Sequence, residues 1–271
     1  MSGQRTVRSR DGTTIAYDVV GDGPALILVG GAFSFRGYKS WKQLTELLAP
    51  RFTVLSYDRR GRGDSGDAPE YAVELEIEDL DALVEAADGS ANVFGMSSGG
   101  VLALRAAAVG VPIRRAVVYQ PPFSVDASGH LPPPDFEPRL LELVRSGRRG
   151  AAASYFMRQG IGVPRGFVVL FRLALPLWRN LEAVAHTLPY DYAVMDGTVH
   201  GKPLAREPWA SIATPTLVVD GGKSPASLRK AADALAAHMP DARRLTLPGQ
   251  GHNVSMKVLA PVLEEFLRDR R

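Results

Sequence analysis

The run Gly95-Met96-Ser97-Ser98-Gly99 has the spacing that nucleophilic chemistry on an acyl carbon requires. A Gly-x-Ser-x-Gly pattern is weak by itself; a strand before it and a helix after it make it specific. Here Asn92-Val93-Phe94 reads as a short strand, and Ser98 to Val109 as an alanine-rich helix stopped by Gly110 and Pro112. The serine then sits on a tight strand-to-helix turn, and Gly95 and Gly99 let the two elements approach. Its hydroxyl points away from bulk packing, near a helix N-terminus whose dipole favours developing negative charge. A glycine-rich helix start with Ser97 as a simple cap has the same letters, and the strand-turn-helix context favours the nucleophile over it.

A serine hydroxyl needs a base to become a nucleophile. His252 follows Pro248-Gly249-Gln250-Gly251, in a loop after the last predicted strand and before the last helix. Glycine on either side of Gln250 frees that loop to present the imidazole to Ser97. The other histidines stand in poorer contexts: His130 in a proline-rich loop, His186 and His200 in a helical insertion, His238 near a helix end. An oxyanion hole needs two backbone N–H donors aimed at one point. Ser98, next after the nucleophile, supplies one. The second is expected from Gly30-Gly31-Ala32-Phe33, with Ala32 as the donor by position and Gly31 or Phe33 if the register slips by one.

These groups must be held by a scaffold, and the hydrophobic pattern describes it. Residues 5–8 and 14–20 read as strands around the turn signal Asp11-Gly12. Ala25-Leu26-Ile27-Leu28-Val29 is apolar without alternation, the mark of a strand buried on both faces. Residues 40–48 look helical, Phe52 to Tyr57 form the next strand, and the acidic stretch Val73 to Ala87 has apolar positions at helical spacing. Further strands are expected at 115–119, 216–219 and 243–247, with a last helix from about Leu259 to Arg268. Strands alternating with helices imply an α/β fold, a mostly parallel central sheet with helices on both faces. Residues 121–209 interrupt that rhythm with proline-rich joints, helical stretches and many aromatics, which predicts a helical cap inserted between core segments 1–120 and 210–271. Phe167, Phe171 and Trp178 are expected mainly to pack the cap, with one or two lining a pocket.

Composition removes several function classes. There is no cysteine among the 271 residues, so disulfides, thiolate catalysis and Cys-based zinc sites are excluded. The net charge of +3 is mild; Arg148, Arg149 and the tail arginines Arg268, Arg270 and Arg271 read as solvated surface, not as a nucleic-acid footprint. Glu74, Glu76, Glu78, Asp79, Asp81 and Glu85 read as the wet side of a helix and lack calcium-loop spacing. Gly61-Arg62-Gly63 lacks the rest of any phosphate-binding motif. Asp58, Arg59, Arg60 and Arg62 are expected to hold the loop beneath the glycine segment rather than an anion. No apolar run reaches bilayer length, and Met1 to Arg5 is followed by no apolar signal region. These features predict a cytoplasmic protein with no metal, nucleic-acid or membrane partner; a small-molecule substrate and a monomer or homodimer are expected.

The order of these motifs resembles the α/β-hydrolase superfamily over essentially the whole chain, and most closely its small capped serine hydrolases of high-GC bacteria. The matching features are the early hairpin, the glycine loop, Asp58-Arg59-Arg60-Gly61-Arg62-Gly63-Asp64-Ser65, the serine elbow, the insertion and the terminal Gly249-Gln250-Gly251-His252. The resemblance implies a serine nucleophile, a histidine base and no cofactor. It also implies an acid that orients the histidine, and there the chain departs. Ser224 stands where a Gly-x-x-Asp loop would place an aspartate, in Gly221-Gly222-Lys223-Ser224. At the second position such families use, a carboxylate before proline, this chain has Gln120 before Pro121. Three readings stay open: Gln120 orients His252 through its amide oxygen; Asp220 or Asp126 supplies a displaced carboxylate; or the protein is not an efficient hydrolase. The expected activity is hydrolysis of a small apolar ester, lactone or thioester. A lyase or cyclase, or a binding protein that has lost catalysis, is the alternative.

Overall fold

In the computed structural model, which describes residues 3–268, eight strands form one sheet. The strands are β1 (Gln4–Arg8), β2 (Thr14–Val20), β3 (Ala25–Val29), β4 (Thr53–Tyr57), β5 (Ala91–Met96), β6 (Ile113–Tyr119), β7 (Thr216–Gly221) and β8 (Ala242–Leu247). Their spatial order is β1-β2-β4-β3-β5-β6-β7-β8. β2 pairs antiparallel with β1 and β4, and every other pairing is parallel. Met1, Ser2, Arg270 and Arg271 lie outside the described residues.

Helices cover both faces, and the side-chain alternation of β3 shows why its sequence is continuously apolar. Ile27 and Val29 join one core with α2 (Val73–Glu85), α3 (Ser98–Ala108) and α9 (Ala226–His238). Leu26 and Leu28 join another with α1 (Lys39–Leu48) and α10 (Met256–Leu267). A period-two strand between two helical layers needs apolar residues at every position.

Between β6 and β7 the chain forms α4 (Phe136–Arg145), α5 (Arg149–Tyr155), a π-helical turn, α6 (Arg165–Leu173), α7 (Leu175–Val184) and α8 (Leu188–Val194). These helices build a third core around Phe136, Leu140, Phe156, Trp178 and Leu188. The segment expected as an insertion, 121–209, packs in two ways. Phe123, Val194, Val199, Leu204 and Trp209 join the core beside the sheet, while residues from Phe136 to Leu188, with Tyr192, pack on the third core.

β3 and β5 are neighbours, yet the chain reaches β4 on one side of β3 before it crosses to β5 on the other. The crevice at the carboxyl ends of such strands is where open α/β sheets hold ligands. Gly30 and Gly31 leave β3 at that crevice, and Ser97 leaves β5 beside them.

Candidate active site

Ser97 has φ 56° and ψ −129°, a conformation rarely adopted by a residue with a Cβ. Holding it there costs roughly 1–3 kcal/mol, and the surrounding structure must impose it. Its N–H bonds the Tyr119 carbonyl at 2.9 Å, and its own carbonyl accepts the Gly100 N–H at 2.9 Å. The two flanking glycines are required by space. A Cβ on Gly95 would lie 2.5 Å from the Gly100 Cα, and one on Gly99 2.4 Å from the Val29 carbonyl oxygen. Ser98 opens α3, so its N–H belongs to the first turn, which has no intrahelical acceptor.

The glycine loop packs directly against this turn. A Cβ on Gly31 would lie 2.8 Å from the Met96 carbonyl oxygen and 2.9 Å from the Ser97 Cβ. The Ser34 N–H bonds the Gly31 carbonyl at 3.2 Å, closing a turn whose third residue, Phe33, has φ 62°. Ala32 lies inside that turn.

His252 sits on a loop that folds back across the ends of β7 and β6. The Gln250 carbonyl accepts the Lys223 N–H at 2.8 Å, and the Tyr119 hydroxyl donates to the Gly251 carbonyl at 2.5 Å. His252 Nδ1 and Gln120 Oε1 are 2.8 Å apart. Gln120 is fully buried with φ 50°, and its amide nitrogen donates to Ser224 Oγ. The amide oxygen therefore faces the histidine, and because that oxygen carries no proton, Nδ1–H is the donor. Nε2 is left as the basic nitrogen. The imidazole keeps a solvent-facing edge, but desolvation by the protein around it lowers its pKa below the ordinary value. Among the described residues, no carboxylate partner of His252 acts against that shift.

This geometry does not bring either of the two candidate carboxylates to His252. Asp220 is fully buried with both oxygens on Arg244, at 3.2 and 2.9 Å. Asp126 bonds Lys230 at 2.6 Å, and with Ser128 this holds its pKa at about 2. The two positions that could carry an acid, Gln120 and Ser224, are neutral and bonded to each other. Among the described residues no group of three or more His, Cys, Asp or Glu could hold a metal ion.

Beneath the glycine loop lies an ionic network. Arg59 forms a bidentate pair with Glu76, both bonds 2.6 Å, and reaches Asp191 at 2.6 Å. Arg60 forms a bidentate pair with Asp79 at 2.8 and 2.6 Å. Arg62 donates to Asp191 at 2.7 Å and to the Gly31 carbonyl at 2.7 Å. Arg62 and Arg59 thus bond the glycine loop, as expected, whereas Arg60 turns to α2 and Asp11. Glu76 and Asp79, expected on the wet face of α2, are instead buried against Arg59 and Arg60. Their i, i+3 spacing puts both carboxylates on one helix face, and the arginines at 59, 60 and 62 were the signal for what that face meets. Asp191 carried no such local signal.

Above the site, Ala32 and Phe33 pack on the core of the inserted helices, with Phe33 edge-on to Phe156 at 5.7 Å between ring centres. Trp178 is buried in that core. Phe167 and Phe171, expected to pack it, are 58 % and 36 % exposed, because α6 turns Val168 inward and those rings outward. No helix among the described residues is long and apolar enough to cross a membrane.

A family model described as the alpha/beta hydrolase family matches residues 26–263, and the chain belongs to that family. An alpha/beta hydrolase from Sphaerobacter thermophilus is 53 % identical, with a TM-score of 0.90 over 97 % of this chain and all of that one. A pimeloyl-[acyl-carrier protein] methyl ester esterase from Xanthomonas campestris is 29 % identical over 242 residues, 87 % of this chain and 90 % of that protein. The enol-lactonase from Burkholderia xenovorans shares the fold at 21 % identity, with a TM-score of 0.70 over 97 % of this chain and 99 % of that one.

Proposed function

We propose that this chain is a serine hydrolase of small apolar carboxylic esters, lactones or thioesters. Ser97 attacks the acyl carbon while Nε2 of His252 takes its proton. The N–H groups of Ala32 and Ser98 receive the developing oxyanion. His252 then gives the proton to the departing alcohol or thiol, leaving an acyl group on Ser97. Water activated by the same nitrogen attacks that acyl group, the acid leaves, and the proton returns to Ser97. Gln120 holds the tautomer of His252 but brings no negative charge to stabilise the imidazolium. The observation that carries this reading is the strained Ser97 beside the glycine loop, together with His252 held at 2.8 Å by the Gln120 oxygen. The apolar surroundings of Phe33 and Phe156 support an apolar acyl group, and the esterase relative supports ester chemistry.

The test is turnover of short-chain p-nitrophenyl esters and acyl thioesters by the wild type, Ser97→Ala and His252→Ala. Turnover by the wild type that falls to background in both variants supports the reading. The neutral orienter also favours a slower second reading, a lyase or cyclase in which His252 moves protons without activating Ser97. Activity that survives Ser97→Ala but not His252→Ala would select that one.

A further inference from the structure

One carboxylate from the inserted helices stands behind both donors of the proposed oxyanion hole. Asp191, on α8, is fully buried and accepts three bonds: from Arg59 at 2.6 Å, from Arg62 at 2.7 Å and from the Ser98 hydroxyl at 2.7 Å. Burial would raise its pKa, but the guanidinium groups of Arg62 and Arg59 outweigh burial and keep the carboxyl ionised. Each of the three donors leads to the hole. Ser98 is one oxyanion donor, and its side chain is tied down by Asp191. Arg62 uses its other nitrogen to hold the Gly31 carbonyl at 2.7 Å and the Ser34 carbonyl at 3.2 Å, the two ends of the turn that contains Ala32. Arg59 reaches the Gly30 carbonyl at 3.3 Å. Thr187, also between the inserted helices, accepts from Arg62 Nε at 3.0 Å and fixes the same guanidinium from the other side.

We infer that Asp191 is a positioning residue that sets the geometry of the oxyanion hole, so that docking of the inserted helices and alignment of the Ala32 and Ser98 N–H groups are one event. The inference rests on the hydrolase reading above and deepens it. Nothing in Asp191 touches the substrate. It holds the arginine that holds the loop, and it holds the residue after the nucleophile. Loss of this alignment weakens stabilisation of the transition state more than binding of the ground state, because the donors are aimed at the oxyanion.

Two variants test this. Asp191→Asn keeps the shape and removes the charge. Ser98→Ala removes one of the three bonds, leaves the Ser98 N–H in place and is a mild change to folding. The readouts are kcat and KM on an ester the wild type hydrolyses, affinity for a trifluoromethyl ketone that forms a tetrahedral adduct with Ser97, and Tm. Asp191→Asn should lower kcat by about 10²-fold with KM within about threefold, the range seen when one oxyanion donor is lost. Affinity for the ketone should fall by a similar factor. Ser98→Ala should lower kcat by a smaller factor, and the two losses should combine less than multiplicatively, since the Ser98 bond is one of the three that end on Asp191. A folded Asp191→Asn with a reduced Tm but unchanged kcat and unchanged ketone affinity would overturn the inference and leave a merely structural ion pair. A wild type that neither turns over nor binds the ketone would overturn the hydrolase reading and this inference with it.

Discussion

Replacing Gln120 by glutamate restores a charge where the structure shows only an amide. The change is nearly isosteric, and Gln120 already lies 2.8 Å from His252 Nδ1. The Ser224 hydroxyl, which now accepts from the amide nitrogen, has only to rotate to donate to the new carboxylate. In serine proteases, replacing the triad acid by its amide lowers kcat roughly 10⁴-fold, equivalent to about 5 kcal/mol at 1.36 kcal/mol per decade. Recovery here should be smaller. Gln120 is fully buried, and an added buried charge loses several kcal/mol of hydration before its partners compensate. The expected gain is therefore about 10²–10³-fold in kcat for ester hydrolysis. The pH profile gives a second readout, free of scale. A carboxylate on Nδ1 stabilises the imidazolium, so the ascending limb should move to higher pH as the plateau rises. The assay is steady-state hydrolysis of a p-nitrophenyl ester between pH 5 and pH 9, with a melting curve as the folding control. A folded Gln120→Glu with an unmoved limb and no gain in kcat would refute the idea that Gln120 orients the base.

Other outcomes follow from the same geometry. In the wild type, His252 is a base only when neutral and its pKa lies below the ordinary value, so kcat/KM should fall with falling pH through a midpoint below about 6.5. Gly31→Ala puts a Cβ within 3 Å of the elbow backbone and should lower kcat at least tenfold and the melting temperature with it, read by kinetics beside calorimetry. Arg60→Ala leaves Asp79 buried without its bidentate partner and should destabilise the fold by about 3–5 kcal/mol, a drop on the order of 10 °C in Tm, with little change in KM of the folded fraction.

The fold was legible where one physical rule dominates a segment. β3 had to be apolar at every position because helices cover both faces, and the Asp11-Gly12 turn marked the antiparallel hairpin. The elbow was legible because few residues can occupy that turn. The partner of His252 was not, since Gln120 and the carboxylates of Asp220 and Asp126 all lie near that edge of the sheet in sequence. The choice among them depends on long-range pairing: Arg244, on β8, takes Asp220, and Lys230, on α9, takes Asp126. The buried carboxylates of α2 were misjudged for the same reason, because helical periodicity separates two faces but does not reveal that arginines await the polar one. Asp191 lies 132 residues from Arg59 in sequence, a contact that only the tertiary fold creates.

The proposed reaction depends first on Ser97 acting as a nucleophile activated by His252. The most direct measurement is labelling by a fluorophosphonate, with the modified residue located by peptide mass spectrometry. A single adduct on Ser97 is expected, absent in Ser97→Ala and formed far more slowly in His252→Ala. Protein that hydrolyses esters at its full rate while Ser97 stays unmodified would contradict it.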